Sequence, residues 1–349
     1  SPELFIIISC MILYTIYSLF ITSLSFYTSI FMLIKMFTIL LLMYYISYME
    51  ISGLYLKKIL LMCNYLIFAS IILCKLLTGR FSYLSYYGGN EYFGYFQNGH
   101  MIGMGITGLA IFQLYNFIKE KNLLYLVIFI IDSCLVYMFK IRTYLLALVV
   151  GVFSLFIFNK KITLKFKITV CSVIVIVVTV LLNHRIDLSF LIINRENIML
   201  EGDTFLRSLS SGRTVFWLAS IKSFLKADII RTLFGYGVGG SQMIINLALK
   251  QNIGSHNDWL MFLIECGLFG LILYLFYYIR SFNKYIRNSE KEYIISLMLA
   301  HITCSIFNGT INYTYSSLIF FFVILYITTN SNTNKTFNKG YVAYENSVC

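Results

Sequence analysis

Apolar and polar residues alternate along this chain in long blocks. Apolar runs of about 20 residues, the length that crosses a bilayer as a helix, start near Leu4, Ser29, Ile59, His100, Asn122, Thr143, Ile168, Asn257, Tyr293 and Tyr313. Short polar connections separate most of them. One connection, residues 183–255, is far longer. Inside a bilayer every backbone polar group must be satisfied by the segment itself, so such runs are helices. The pattern predicts an all-α polytopic membrane protein with about ten visible spans. It forms a single transmembrane domain over residues 1–349, with one large external loop, residues 183–255, containing short helices.

Charge orients the spans. Lys57-Lys58, Lys119-Glu120-Lys121, residues 159–167, the stretch from Arg280 to Lys291, and the tail with Lys335 and Lys339 are lysine-rich. Basic connections mark the cytoplasmic side. Residues 78–99, 140–142, 183–255 and 308–312 are then external, and both termini lie inside. The first residues, Ser1-Pro2-Glu3, carry no basic segment, so no cleavable signal peptide is expected. Two further spans upstream of Ser1 would leave the orientation unchanged.

Composition excludes a soluble domain. Of 349 residues, 59% are hydrophobic and 12% charged, and the mean hydropathy is +0.80; soluble domains are about 25% charged. The net charge of +12 orients connections rather than pointing to nucleic acid. Cys10, Cys63, Cys74, Cys134, Cys171, Cys266, Cys304 and Cys349 are scattered singly, with neither a disulfide framework nor zinc spacing. No metal or nucleotide motif is present, so no metal and no cofactor are expected.

Candidate chemistry gathers on the expected external side. Residues 183–255 hold Arg185, Arg195, Arg207, Arg213 and Arg231 beside Asp187, Glu196, Glu201, Asp203 and Asp228. From Thr214 to Leu225 apolar residues recur at helical spacing. On that helix Arg213 shares a face with Trp217, Ser220 and Phe224, while Lys222 and Lys226 point away. An arginine on an apolar face needs an anionic partner, either a structural carboxylate or a substrate phosphate. His256 heads a span behind Ser255, a candidate N-cap. It suits general-base work near neutral pH, or is an interfacial histidine bonded for structure. Lys140 and Arg142 defy the basic-inside pattern, which marks functional charges or snorkelling ones. Asn98 and His100 precede a span and either cap it or bond sugar hydroxyls. The aromatics from Phe81 to Phe96 form an interfacial belt or stack on sugars. Gly235-Tyr236-Gly237-Val238-Gly239-Gly240 reads as a tight turn. Glu265 lies on the opposite helix face from His256; no role is assigned to it, or to Lys35, Lys75, Asp132 or His301.

These pieces form an ordered pattern. Arg142 starts a span; Ser211-Gly212-Arg213 and Phe234-Gly235-Tyr236-Gly237 follow in the long loop. His256-Asn257 then leads into Glu265-Cys266-Gly267-Leu268-Phe269-Gly270. The order resembles the O-antigen polymerase (Wzy-type) and O-antigen ligase superfamily of bacterial membrane glycosyltransferases. The resemblance implies about twelve spans in the bacterial inner membrane and a site on the periplasmic face. It implies inverting, metal-independent transfer of a glycan from undecaprenyl pyrophosphate to a sugar hydroxyl. By motif, Arg142 and Arg213 hold pyrophosphate and His256 activates the hydroxyl. Asn98, Lys140, Asn257 and Arg207 are further expected substrate contacts. The favoured expectation is polymerisation of lipid-linked repeat units into surface polysaccharide, in a chain rich in Ile, Tyr, Phe and Lys. Expected partners are the lipid-linked oligosaccharide, the bilayer and a chain-length regulator protein, with no nucleic acid. The alternative is the ligase, whose acceptor is the lipid A core. A flippase for the same unit is the alternative of another class, although no repeated halves are evident.

Overall fold

The computed structural model describes residues 2–21, 26–49, 51–79, 82–84, 91–93, 96–139, 141–160, 163–165, 167, 213–251, 253–287, 290–314 and 316–330. The expected span from Ile168, and the candidates Lys140 and Arg207, lie outside the described residues.

Helices follow the apolar blocks. They are α1 (Pro2–Ile21), α2 (Phe26–Tyr48), α3 (Gly53–Thr78), α4 (Gly99–Glu120), α5 (Leu123–Met138) and α6 (Arg142–Phe158). After the undescribed stretch come three short helices, α7 (Arg213–Leu225), α8 (Ile229–Phe234) and α9 (Gly240–Leu249), then the long α10 (Asp258–Tyr285) and α11 (Lys291–Phe307). A 3-10 turn at Ile311–Tyr313 leads to α12 (Ser316–Asn330). The protein is therefore a helical polytopic membrane protein. By length and composition Leu4–Ile21, Ser29–Ile46, Gly53–Thr78 and Asp258–Tyr285 can each cross a membrane. Three short antiparallel strands, β1 (Ser82–Leu84), β2 (Glu91–Phe93) and β3 (Phe96–Asn98), add a small sheet within the aromatic connection before α4. Strands of three residues have no hydropathy period to read.

Close helix approach depends on small residues, as in other membrane bundles. A Cβ on Gly103 of α4 would sit 2.3 Å from the Tyr144 ring of α6. Two turns further along α6, Ser296 of α11 donates to the Gly151 carbonyl. α4, α6 and α11 thus pack as one unit.

The connections sort into two groups. Lys57 pairs with Glu120, and Lys119 with Glu290, joining three of the lysine-rich connections. At the other end, residues in or directly next to four expected external connections meet: His100, Thr143, Arg213 and Asn308.

The long α10 is broken. Gly267 has φ 66° and ψ −164° inside it, and Gly235, after α8, has φ 84°. The two glycines pass each other backbone to backbone. A Cβ on Gly235 would lie 2.5 Å from the Glu265 carbonyl, and one on Gly267 2.4 Å from the Leu233 carbonyl. The break strands carbonyls, which need new donors at membrane depth. Tyr236 N–H donates to Ile264 O at 2.7 Å, and the Tyr14 hydroxyl of α1 donates to Cys266 O at 2.5 Å. α1 also holds the loop: Tyr17 donates to Gly235 O at 2.7 Å, and Ser18 Oγ accepts from Val238 N–H at 3.1 Å. Glu265 Oε2 accepts from Gly239 N–H at 3.1 Å, ahead of α9. Carboxylates favour such helix starts, and Glu265 therefore has a capping role.

Candidate functional site

Four segments of the chain converge on Asn308, which is fully buried where α11 ends. Its Oδ1 accepts from Arg213 Nη2 at 3.0 Å. Its Nδ2 donates to the Tyr144 hydroxyl at 2.6 Å and to His100 Nδ1 at 3.2 Å. Because arginine only donates, the amide oxygen must face Arg213 and the nitrogen must face the other two. His100 Nδ1 is then an acceptor and lacks a proton. Tyr144 spends its own proton on the His100 carbonyl, at 2.6 Å. Tyr313 stacks on the His100 ring with centroids 6.1 Å apart and 13° between planes.

Arg213 opens α7. Its Nη1 donates to Thr143 Oγ1 at 3.0 Å and to the Phe307 carbonyl. These oxygens and that of Asn308 are uncharged acceptors, and together they orient the guanidinium. The helical face expected for α7 is observed in part: Phe216 and Ser220 are buried, while Lys222 and Lys226 are exposed. Trp217 on the same face donates to Ser255 O at 2.9 Å and packs on Phe307, 5.9 Å away.

His256 sits beside this cluster. It adopts φ 49°, a left-handed backbone that a non-glycine residue rarely holds. The turn moves the helix cap by two residues from the expected Ser255. Asn257 is extended and its side chain accepts from Leu260 N–H at 3.0 Å, so Asn257, expected among substrate contacts, spends its oxygen on the cap. Ser255 instead donates to Asn257 O at 3.2 Å. Burial first, and the nearby Arg213 charge second, lower the His256 pKa to about 4. A hydrogen bond to the Asn308 backbone opposes them in part. The ring is therefore neutral near pH 7, with one N–H directed at that carbonyl and its other nitrogen unprotonated.

Asp258 ties the two halves together. Its carboxylate accepts from Thr310 N–H at 2.7 Å, Thr310 Oγ1 at 2.6 Å and Ile311 N–H at 3.2 Å. The turn carrying Asn308 is thereby fixed to the segment carrying His256. Gly309, with φ 74°, lies so close that a Cβ there would be 3.1 Å from Asp258 Oδ1.

Of the expected site residues, the structure brings Arg213 and His256 together, and Asn257 directly follows His256. Arg142 is the first residue of α6 and immediately precedes Thr143, which Arg213 contacts. Asn98 ends β3, just before His100. Thr143, Tyr144, Asp258, Asn308 and Tyr313 were not anticipated. The only signal for Asn308 is Asn308-Gly309-Thr310, a polar triplet between two apolar runs.

The arrangement offers a fixed cation, a neutral histidine with an available acceptor nitrogen, and a buried polar frame joining them. It suits the handling of an anionic group next to a proton-releasing one. Comparison with curated proteins finds no match to this chain. The family model described as O-Antigen ligase matches residues 126–275. That match spans Arg142, Arg213, His256 and the break in α10, and it is consistent with the O-antigen polymerase and ligase superfamily.

Proposed function

We propose that this protein polymerises undecaprenyl-pyrophosphate-linked oligosaccharide units into surface polysaccharide, at the outer face of a bacterial inner membrane. The observation that carries the reading is the pairing of Arg213 with His256 through Asn308. In the proposed reaction an acceptor sugar hydroxyl attacks the anomeric carbon of the donor glycan. The bond from that carbon to the pyrophosphate oxygen breaks, and inversion follows from attack opposite the leaving group. The hydroxyl proton passes to the unprotonated nitrogen of His256. The bond electrons leave with the pyrophosphate, whose charge Arg213 holds, with Arg142 as its partner.

Guanidinium groups stay charged at any physiological pH and bind phosphate oxygens bidentately. Stabilising a departing anion in a site of low water content is worth several kcal/mol. A histidine held near pKa 4 is a weak base on its own. An incoming pyrophosphate offsets the Arg213 charge and raises that pKa, so the base strengthens when the donor binds. Asn98, Lys140, Asn257 and Arg207 remain proposed substrate contacts. A chain-length regulator is a proposed partner. On the proposed topology, the stretch 183–255 is the external loop of a single transmembrane domain.

A ligase reading has one specific support, the description of the matching family model. The test is transfer by purified protein from a synthetic undecaprenyl-pyrophosphate repeat unit. A ladder of lipid-linked products, lost in His256→Ala and Arg213→Ala variants that stay folded, is the expected result. Transfer to lipid A core alone would replace the polymerase by the ligase. Movement of the intact lipid across vesicles, with no new glycosidic bond, would overturn both.

A further inference from the structure

Asp132 lies inside α5 and is fully buried. Among the described residues its side chain has one partner, Asn64 of α3, which is also buried. Asn64 Nδ2 donates to the two carboxylate oxygens at 3.0 and 2.9 Å. No ion pair among the described residues includes Asp132. A carboxylate at such depth is costly until its charge is neutralised, and an ionisable residue within a span marks a functional site.

A third polar side chain shares this level. At the lysine-rich end Lys57 of α3, Glu120 of α4 and Tyr125 of α5 meet. The Lys57 ammonium is 2.5 Å from Glu120 Oε1 and 5.1 Å from the centre of the Tyr125 ring. Seven residues make two helical turns to within about 20°, so they return a side chain to the same face, about 10 Å further on. Seven residues inward from that end, Lys57 gives Asn64, Glu120 gives Gln113 and Tyr125 gives Asp132. The direct bond between Asn64 and Asp132 bears out this register, and α4 packs against α5. Gln113 is fully buried, and neither its Oε1 nor its Nε2 has a hydrogen-bond partner; Asn64 Oδ1 also has none. Nearby on α4 the equally buried amide of Asn116 has both atoms bonded, to Tyr326 and to the Phe112 carbonyl. The bundle can therefore satisfy an amide from within, and Gln113 is an exception.

Asp132, Asn64 and Gln113 together offer side-chain oxygens and one negative charge. Carboxylate and carbonyl oxygens suit a hard cation. Charge decides its valence: one carboxylate balances one monovalent ion, whereas a divalent ion would leave a buried surplus. A proton also balances the charge, but it joins only two oxygens. It would link Asp132 to a turned Asn64 amide and leave Gln113 unsatisfied. A metal cation engages all three side chains.

We propose that Asp132, Asn64 and Gln113 form a site for one monovalent metal cation, such as sodium, between α3 and the α4–α5 hairpin. The two amides turn their oxygens to the ion, and Gln113 Nε2 donates to the carboxylate. The site shares no residue with the proposed reaction site and takes no part in the proposed transfer. It rests on the membrane fold alone.

The test is equilibrium binding of radiolabelled sodium to the purified full chain in detergent, with choline chloride holding the ionic strength. Wild type is expected to show saturable uptake of one ion per chain. Asp132→Asn keeps the side-chain volume and removes a buried charge, so folding is not at risk, and uptake is lost. In Gln113→Leu, checked for monodispersity, affinity falls by about tenfold or more. Asp228→Asn, which removes an exposed carboxylate, leaves uptake unchanged; equal loss there would reduce the effect to surface charge and overturn the site. No saturable uptake by wild type, or uptake unchanged in Asp132→Asn, would overturn it as well. Uptake unchanged in Gln113→Leu would overturn the three-residue site. A carboxylic-acid band in the infrared spectrum of wild type in sodium buffer, absent from Asp132→Asn, would make the neutralising partner a proton and overturn the cation.

Discussion

Asn308 faces Arg213 with its oxygen and His100 and Tyr144 with its nitrogen, so one buried amide sets the position of the cation and of two ring systems. Removing one partner from a buried hydrogen-bond set leaves the others unsatisfied, at about 1–3 kcal/mol. We predict that Asn308→Ala lowers kcat/KM for the lipid-linked donor by about 10- to 100-fold, with the protein still folded. Asn308→Asp places a carboxylate where phosphate must approach and is expected to raise KM. Steady-state kinetics of both variants against the same donor checks this. An unaltered KM in Asn308→Asp would argue that the donor phosphate binds elsewhere.

Arg213→Lys keeps the charge but not the planar fork. A lysine cannot reach Thr143, Phe307 and Asn308 in the geometry that the guanidinium uses. The expected outcome is a loss of about tenfold or more in transfer, together with weaker donor binding. Measuring donor affinity in a variant already lacking His256 separates binding from chemistry.

The low pKa of His256 has a signed consequence for stability. Unfolded histidine titrates near about 6.5, while in the folded chain burial and Arg213 hold His256 at about 4. Between those values the unfolded chain binds more protons, so stability rises with pH. The contribution is fully present above about 6.5 and is lost as pH falls through this window toward about 4. Melting temperatures in detergent should therefore drop on acidification in wild type, and less steeply in His256→Gln. The acid limb of kcat/KM, which reports the free enzyme, is expected near 4; a limb at the ordinary histidine value would contradict the enclosed neutral ring.

Glycines at positive φ should differ sharply in their tolerance of alanine. At Gly235 a Cβ meets backbone at 2.5 Å, whereas at Gly79, also left-handed with φ 72°, nothing lies within 4 Å. Gly79→Ala then bears only the backbone strain, about 1–2 kcal/mol. Gly235→Ala must also push two chain segments apart, and is expected to abolish recovery of folded protein. Detergent-solubilised yield and thermal melting distinguish the two.

Much of the fold was legible because a bilayer permits few solutions. Runs of apolar residues became helices close to where hydropathy placed them, and the lysine-rich connections do cluster by ion pairs. Arg213 and His256 were legible because a charge and an imidazole at the edge of a span conflict with their surroundings. Asn308 and Asp258 were not, since an asparagine or aspartate beside a helix end reads as an ordinary cap. Their roles come from partners distant in sequence, 208 residues for Asn308 with His100 and 52 for Asp258 with Thr310. The cap at Asn257 rather than Ser255 depends on the left-handed turn at His256, which no hydropathy pattern encodes. Glu265 read as a stray polar residue in a span because the helix it caps lies in a different segment of the chain.

The clasp between α1 and the broken helix has a consequence for biosynthesis. Tyr14 and Tyr17 are made well before their acceptors, Cys266 O and Gly235 O, which are 252 and 218 residues further along. Until those residues have been made and inserted, α1 lacks these native partners. Contacts of such long sequence separation form late and slowly. α1 can pack on α2 early, but its clasp on the loop and the broken helix cannot close before Cys266 has been made. A chain stalled or truncated before Gly235 would leave Tyr14 and Tyr17 without these acceptors, a state that membrane quality control can distinguish from the finished protein.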